Sequence, residues 1–129
     1  MAVIKSGSRE VSYATAGDLP LYVLRAASGE VQEIDGSGES LGIAPGTAFA
    51  TRTLKLEKGD RILLGNGGIE RLENKSGSQL GADRWMEIAT AANAAGVDDF
   101  RREVRTKLNE FLGEAKLKED IIMMTACAE

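Results

Sequence analysis

Hydrophobic and polar positions change rhythm along this chain near residue 80, ahead of two helical stretches and a closing strand. Before that point apolar residues alternate with polar ones, which predicts strands; after it they recur about every 3.6 residues, which predicts helices. Val11-Ser12-Tyr13-Ala14-Thr15 alternates and stops at Ala16-Gly17-Asp18, and Leu21-Tyr22-Val23-Leu24-Arg25 begins after Pro20. Ser28-Gly29-Glu30 then turns the chain into Val31-Gln32-Glu33-Ile34. Connections this short cannot make a parallel crossover, so antiparallel neighbours are expected. Residues 35–46 read as a loop holding Leu41 and Ile43. Further on, Thr51, Thr53 and Lys55 share one face of a strand and Arg52, Leu54 and Leu56 the other. Glu57-Lys58-Gly59-Asp60 is predicted to close a hairpin onto Arg61-Ile62-Leu63-Leu64, whose successive apolar positions indicate a central strand covered on both faces.

Beyond the change of rhythm, Trp85, Ile88, Ala89 and Ala92 fall on one stripe of a helix over residues 82–95, with Asp83 in its first turn and Gly96 as its stop. A second helix, capped by Asp98 or Asp99, presents Phe100, Val104, Leu108, Phe111 and Leu112 before Gly113. Residues 121–127 form a closing strand. These stripes are core positions rather than a cofactor box, because aromatic residues at helical spacing ordinarily pack against a sheet. The expected fold is α+β: a mostly antiparallel sheet with two helices on one face.

At 129 residues, 43% hydrophobic and 28% charged, the chain suits a single domain over residues 1–129. A net charge of -4 with interspersed signs gives no basic stripe, which argues against nucleic acid as a partner. Apolar runs such as Ile121-Ile122-Met123-Met124 are far too short to span a membrane, and the start lacks a signal pattern, so a cytoplasmic location is expected. The single cysteine, Cys127, reads as a small core side chain. Histidine is absent, which removes Ser-His-Asp and Cys-His hydrolysis and histidine-based zinc sites. Carboxylate chemistry with a hard cation such as magnesium or manganese is what remains.

Gly65-Asn66-Gly67-Gly68 follows a strand, but it lacks the lysine and hydroxyl residue of a phosphate-binding P-loop. Its glycines are expected either to take positive φ or to let backbone approach closely. Asp18 and Asp60 read as turn residues that accept backbone hydrogen bonds.

The stretch from Lys58-Gly59-Asp60 through Leu63-Leu64 to Gly67-Gly68-Ile69 resembles the "GDRLLLYTDGL" segment of the PP2C-type bacterial phosphatases of the SpoIIE/RsbU group. Four further segments follow in that family's order. Residues 11–18 resemble "L-x-YANAGH" with Asp18 at the histidine, and Ser40-Leu41-Gly42-Ile43 resembles "PLG". Residues 77–85 resemble "GE-x-FG-x-x-RL", and Glu119-Asp120-Ile121-Ile122 resembles "DDIT". Joint order and spacing carry the resemblance, which covers the C-terminal portion of the family domain. It implies a partial αββα sandwich without the front portion, whose "GDFYD" strand supplies metal-bridging carboxylates.

That family clamps a phosphoserine or phosphothreonine with two metal ions that activate a water. Gly67 stands at the metal-binding aspartate of "TDG", Asn66 at its threonine and Gly65 at the preceding aromatic, while Glu119 stands at the first aspartate of "DDIT". No intact catalytic residue carries over and no cofactor is expected. Glu119 and Asp120 are the candidate ligands for one weakly held magnesium or manganese ion, the plainer reading being solvated loop charges. The resemblance therefore implies a noncatalytic regulatory or interaction domain in bacterial signalling, with a protein partner such as an anti-sigma antagonist or a second copy. The alternative is the rear portion of an active serine/threonine protein phosphatase whose other ligands lie in another segment or chain. Loss of the front layers is expected to bare the face around Ile62 and Leu63, so a homodimer covering it is expected too.

Overall fold

Nine elements are laid out along the chain in a computed structural model that describes residues 2–4, 9–17, 21–34, 38–94 and 96–129. They are the strands β1 (Ala2–Ile4), β2 (Glu10–Tyr13), β3 (Leu21–Leu24), β4 (Val31–Ile34), β5 (Arg52–Lys55) and β6 (Arg61–Gly65), the helices α1 (Gly81–Ala92) and α2 (Val97–Leu112), and the strand β7 (Met123–Cys127). The strands form two antiparallel sheets, one ordered β1-β2-β5 and the other β4-β3-β6-β7. The fold is α+β, with both helices on one face of the four-stranded sheet.

Period-two geometry sends successive side chains of β6 to opposite faces. Ile62, opposite Val23 and Ala126, joins Val11, Tyr13, Leu21, Leu54 and Leu56 in a core between the two sheets. Leu63, opposite Tyr22 and Thr125, joins Leu24, Trp85, Ala89, Phe100, Val104 and Leu108 in a second core beneath the helices. The central placement of β6 is thus as its apolar run predicts. Both cores lie within one chain, so Ile62 and Leu63 are buried rather than bared. The second sheet, and not a partner, supplies the cover for this face.

The expected hairpin between β5 and β6 is not formed. Leu54 faces Val11 of β2, while β6 pairs with β3 and β7, so Lys58-Gly59-Asp60 carries the chain from one sheet to the other. Asp60 fixes that corner: it is 1% exposed, and its carboxylate accepts from the amides of Ala26 (3.0 Å) and Glu57 (2.9 Å) and from Arg25 Nη1 (2.6 Å). Three nonlocal and local donors outweigh the short connection that favoured a hairpin. Likewise β2 lies between β1 and β5 rather than beside β3.

The helix ends also differ from expectation. α1 stops at Ala92, and Gly96 serves as the N-cap of α2 instead of ending α1. Asp98 and Asp99 make no cap; they lie in the first turn of α2, where the macrodipole favours them, and pair with Arg101 and Arg102. A buried cation ties helices to sheet. Arg61 lies 4.1 Å from the Phe100 ring centre, and its Nε donates to Asn93 Oδ1 at 3.1 Å. Cys127 is half-buried, with its thiol directed at the Gly59 carbonyl. Among the described residues no helix is long and apolar enough to cross a membrane.

Candidate functional site

Where β6 ends, the backbone leaves the sheet through Gly65 and winds through turns over residues 66–72, closed by Ile69 N–H to Asn66 O and Arg71 N–H to Gly67 O, both 3.1 Å. Asn66 locks this elbow to the lead into β7. Its backbone amide donates to Ile122 O at 3.1 Å, its Nδ2 donates to Asp120 O at 2.7 Å, and its Oδ1 accepts from the Ile122 amide at 3.0 Å. One side chain thereby extends the β6–β7 ladder by imitating a peptide.

The two glycines that follow are needed for space and not for positive φ, which neither adopts. A Cβ on Gly68 would lie 2.7 Å from the backbone oxygen of Asp120, so this position is closed to any side chain. A Cβ on Gly67 would lie 2.5 Å from Arg71 Nη1. What fills the space before Gly67 is a guanidinium.

That guanidinium grips the sequence-predicted ligand. Arg71 Nε and Nη2 donate to Glu119 Oε1 and Oε2 at 2.9 and 2.7 Å, a parallel two-point bond. The bond holds the Glu119 carboxyl below its ordinary range and raises Arg71. Two further ion pairs, Lys118 with Glu73 and Lys75 with Glu114, each at 2.7 Å, continue the seam between residues 71–75 and 114–119. Asp120 is exposed and takes part through its carbonyl rather than its carboxylate. Asp60 belongs to the buried corner, and Asp18 lies outside the described residues.

The structure therefore brings Gly67, Glu119 and the Asp120 backbone together, and adds Arg71 as the partner of Glu119 and Asn66 as the bond to main chain, neither of which the sequence pattern predicts. The signal for Arg71 was a basic residue four positions after the glycine that replaces an expected acid. A divalent ion wants several oxygen donors. Here both Glu119 oxygens are engaged by Arg71, Gly67 has no side-chain donor and its carbonyl accepts from the Arg71 amide, Asp120 adds one exposed carboxylate, and among the described residues no group of three or more Asp, Glu, Cys or His stands ready to hold a metal. The described residues do not fit the dinuclear centre that the resemblance implies.

A sequence model described as "Stage II sporulation protein E (SpoIIE)" matches residues 1–129. The chain is 26% identical over 89 residues to Protein IcfG of Synechocystis, an alignment covering 69% of this chain and 14% of that protein. Among solved structures it resembles the SiaA-PP2C domain of Pseudomonas aeruginosa, with a TM-score of 0.75, 19% identity, and coverage of 94% of this chain and 47% of that one. The RsbU and RsbW domains of a Mycobacterium tuberculosis protein match with a TM-score of 0.71, 22% identity, and coverage of 96% and 34%. The manganese-presoaked SpoIIE phosphatase domain of Bacillus subtilis gives 0.66, 12%, 100% and 55%. At these identities the structural matches establish the fold, and the chain spans about half the length of the isolated phosphatase domains.

Proposed function

The chain belongs to the SpoIIE family, and from that premise we propose that it is a noncatalytic member that works by protein contact in bacterial signalling. One observation carries this reading: the position corresponding to a metal-binding aspartate is Gly67, and Glu119, the acid at the first aspartate of the second motif, is bonded to Arg71. Without a clamped metal pair there is no metal-activated water, and the Arg71 guanidinium at the elbow is already spent on Glu119 rather than on a phosphoryl group. Incubation with manganese and a phosphoserine protein or a small aryl phosphate is expected to give no turnover above the enzyme-free rate. Metal-dependent turnover lost in Glu119→Gln or Asp120→Asn would defeat the reading.

Coverage of only 47% of the SiaA-PP2C domain favours a second reading, in which this portion completes an active phosphatase with ligands from elsewhere. Gly67 weighs against it, since no added segment restores a donor at that position. One contact surface open to a partner is the edge strand β7, outermost in its sheet, where Met124 is 65% exposed and Ile122, just before the strand, is 59% exposed. A second copy or an anti-sigma antagonist would add a strand there. Light scattering of the purified chain is expected to show a dimer at micromolar concentration; a monomer would exclude self-association and leave a different protein as partner.

A further inference from the structure

We propose that Arg71 is the resident cation of this site, seated in the space a divalent metal would need, and that Gly67 is what gives its guanidinium room. The inference rests on the noncatalytic reading above and deepens it by naming the residue that closes the site. Three contacts carry it. A Cβ at residue 67 would come within 2.5 Å of Nη1 and 3.2 Å of Cζ, so any side chain here meets the guanidinium head-on. The same guanidinium spends its Nε and Nη2 donors on the two oxygens of Glu119, leaving that carboxylate no free face toward a metal along the bidentate direction. Asn66 bonds the Asp120 carbonyl and the Ile122 amide, and Gly68 leaves room for that carbonyl to approach, so Glu119 is delivered to Arg71 by fixed main chain.

The pair is also poorly placed to serve stability. Its side chains are 55% and 44% exposed, where water and salt screen an ion pair to a small contribution. A two-point bond that adds little to folding yet neutralises the retained acid is explained by what it excludes. In charge terms a single fixed positive group stands in for exchangeable divalent ions.

The test is Mn²⁺ titration by calorimetry on the whole chain and its variants, with circular dichroism confirming the fold. Gly67→Asp alone is expected to gain no Mn²⁺ binding, because the new carboxylate would be neutralised by Arg71. Gly67→Asp combined with Arg71→Ala is expected to bind Mn²⁺ saturably, at concentrations roughly tenfold or more below the millimolar limit at which the unaltered chain shows no saturation, and adding Glu119→Gln should abolish the gain. Should the double variant fail to fold, Arg71→Glu removes the cation and adds an acid without touching Gly67, and is expected to gain binding as well. A gain from Gly67→Asp with Arg71 retained, or none from a folded double variant, would overturn the proposal. Turnover by the unaltered chain would instead defeat the noncatalytic reading, so the two failures are distinct.

Discussion

Two arginine–carboxylate pairs in this domain share chemistry and differ in everything else. Arg25 and Asp60 meet at 2.6 Å in the corner that hands the chain from one sheet to the other, with the Asp60 side chain 2% exposed. Arg71 and Glu119 meet at 2.7 Å on the surface, roughly half exposed on both sides. Asp60 also accepts two backbone amides, so its loss would strand buried donors, whereas Glu119 bonds a single flexible partner. An ion pair becomes architecture when it satisfies main chain out of water's reach. On the surface it decides which charges a site presents.

The contrast breaks most readily at the corner. Asp60→Ala is expected to destabilise the fold by about 3 kcal/mol, read from urea unfolding, because two amides and a guanidinium lose a buried acceptor together. The same carboxyl gives a pH signature. Burial alone would raise it, but the Glu57 and Ala26 amides and Arg25 outweigh burial and hold it below its ordinary 3.8. A carboxyl depressed in the folded state contributes its full stability above that ordinary value and loses it as pH falls through the lower, folded one. The unaltered chain should therefore lose stability below about pH 4, more steeply than Asp60→Asn.

Next in size come the neighbouring glycines, which separate rigid from yielding obstacles. Gly68→Ala drives a methyl toward the fixed Asp120 carbonyl and should cost about 1–3 kcal/mol in the same unfolding experiment. Gly67→Ala displaces only the end of the Arg71 side chain, and a cost as large as that of Gly68→Ala would show the guanidinium to be far less free than its exposure implies. Smallest of all is Arg71→Ala, expected to leave the unfolding midpoint nearly unchanged. A large loss there would make the surface pair structural and undo the contrast.

Much of the fold is written in local pattern. Helical spacing of Trp85, Ala89, Ala92, Phe100, Val104 and Leu108 marks the faces that are buried, and the apolar run of β6 marks its central place. The distribution of strands between two sheets is not written there, because Asp60 bonds Ala26 across 34 positions and only that nonlocal contact distinguishes a corner from a hairpin. β1 is too short, at 3 residues, for alternation to register. At the site, Gly67 and Glu119 are legible as departures from a motif. Arg71 is not, being one of 16 basic residues until folding sets it against a partner 48 positions away. Asn66 is hidden for the same reason, since its role is to bond main chain 54 and 56 positions on.

Uptake of divalent metal at the elbow of the unaltered chain separates a closed site from a working one. Calorimetric titration with Mn²⁺ is predicted to show no saturable binding up to about millimolar concentration, the range of weak carboxylate sites. Saturation at one or two ions per chain, lost in Glu119→Gln, would mean that Arg71 yields to metal and that the site is a working one.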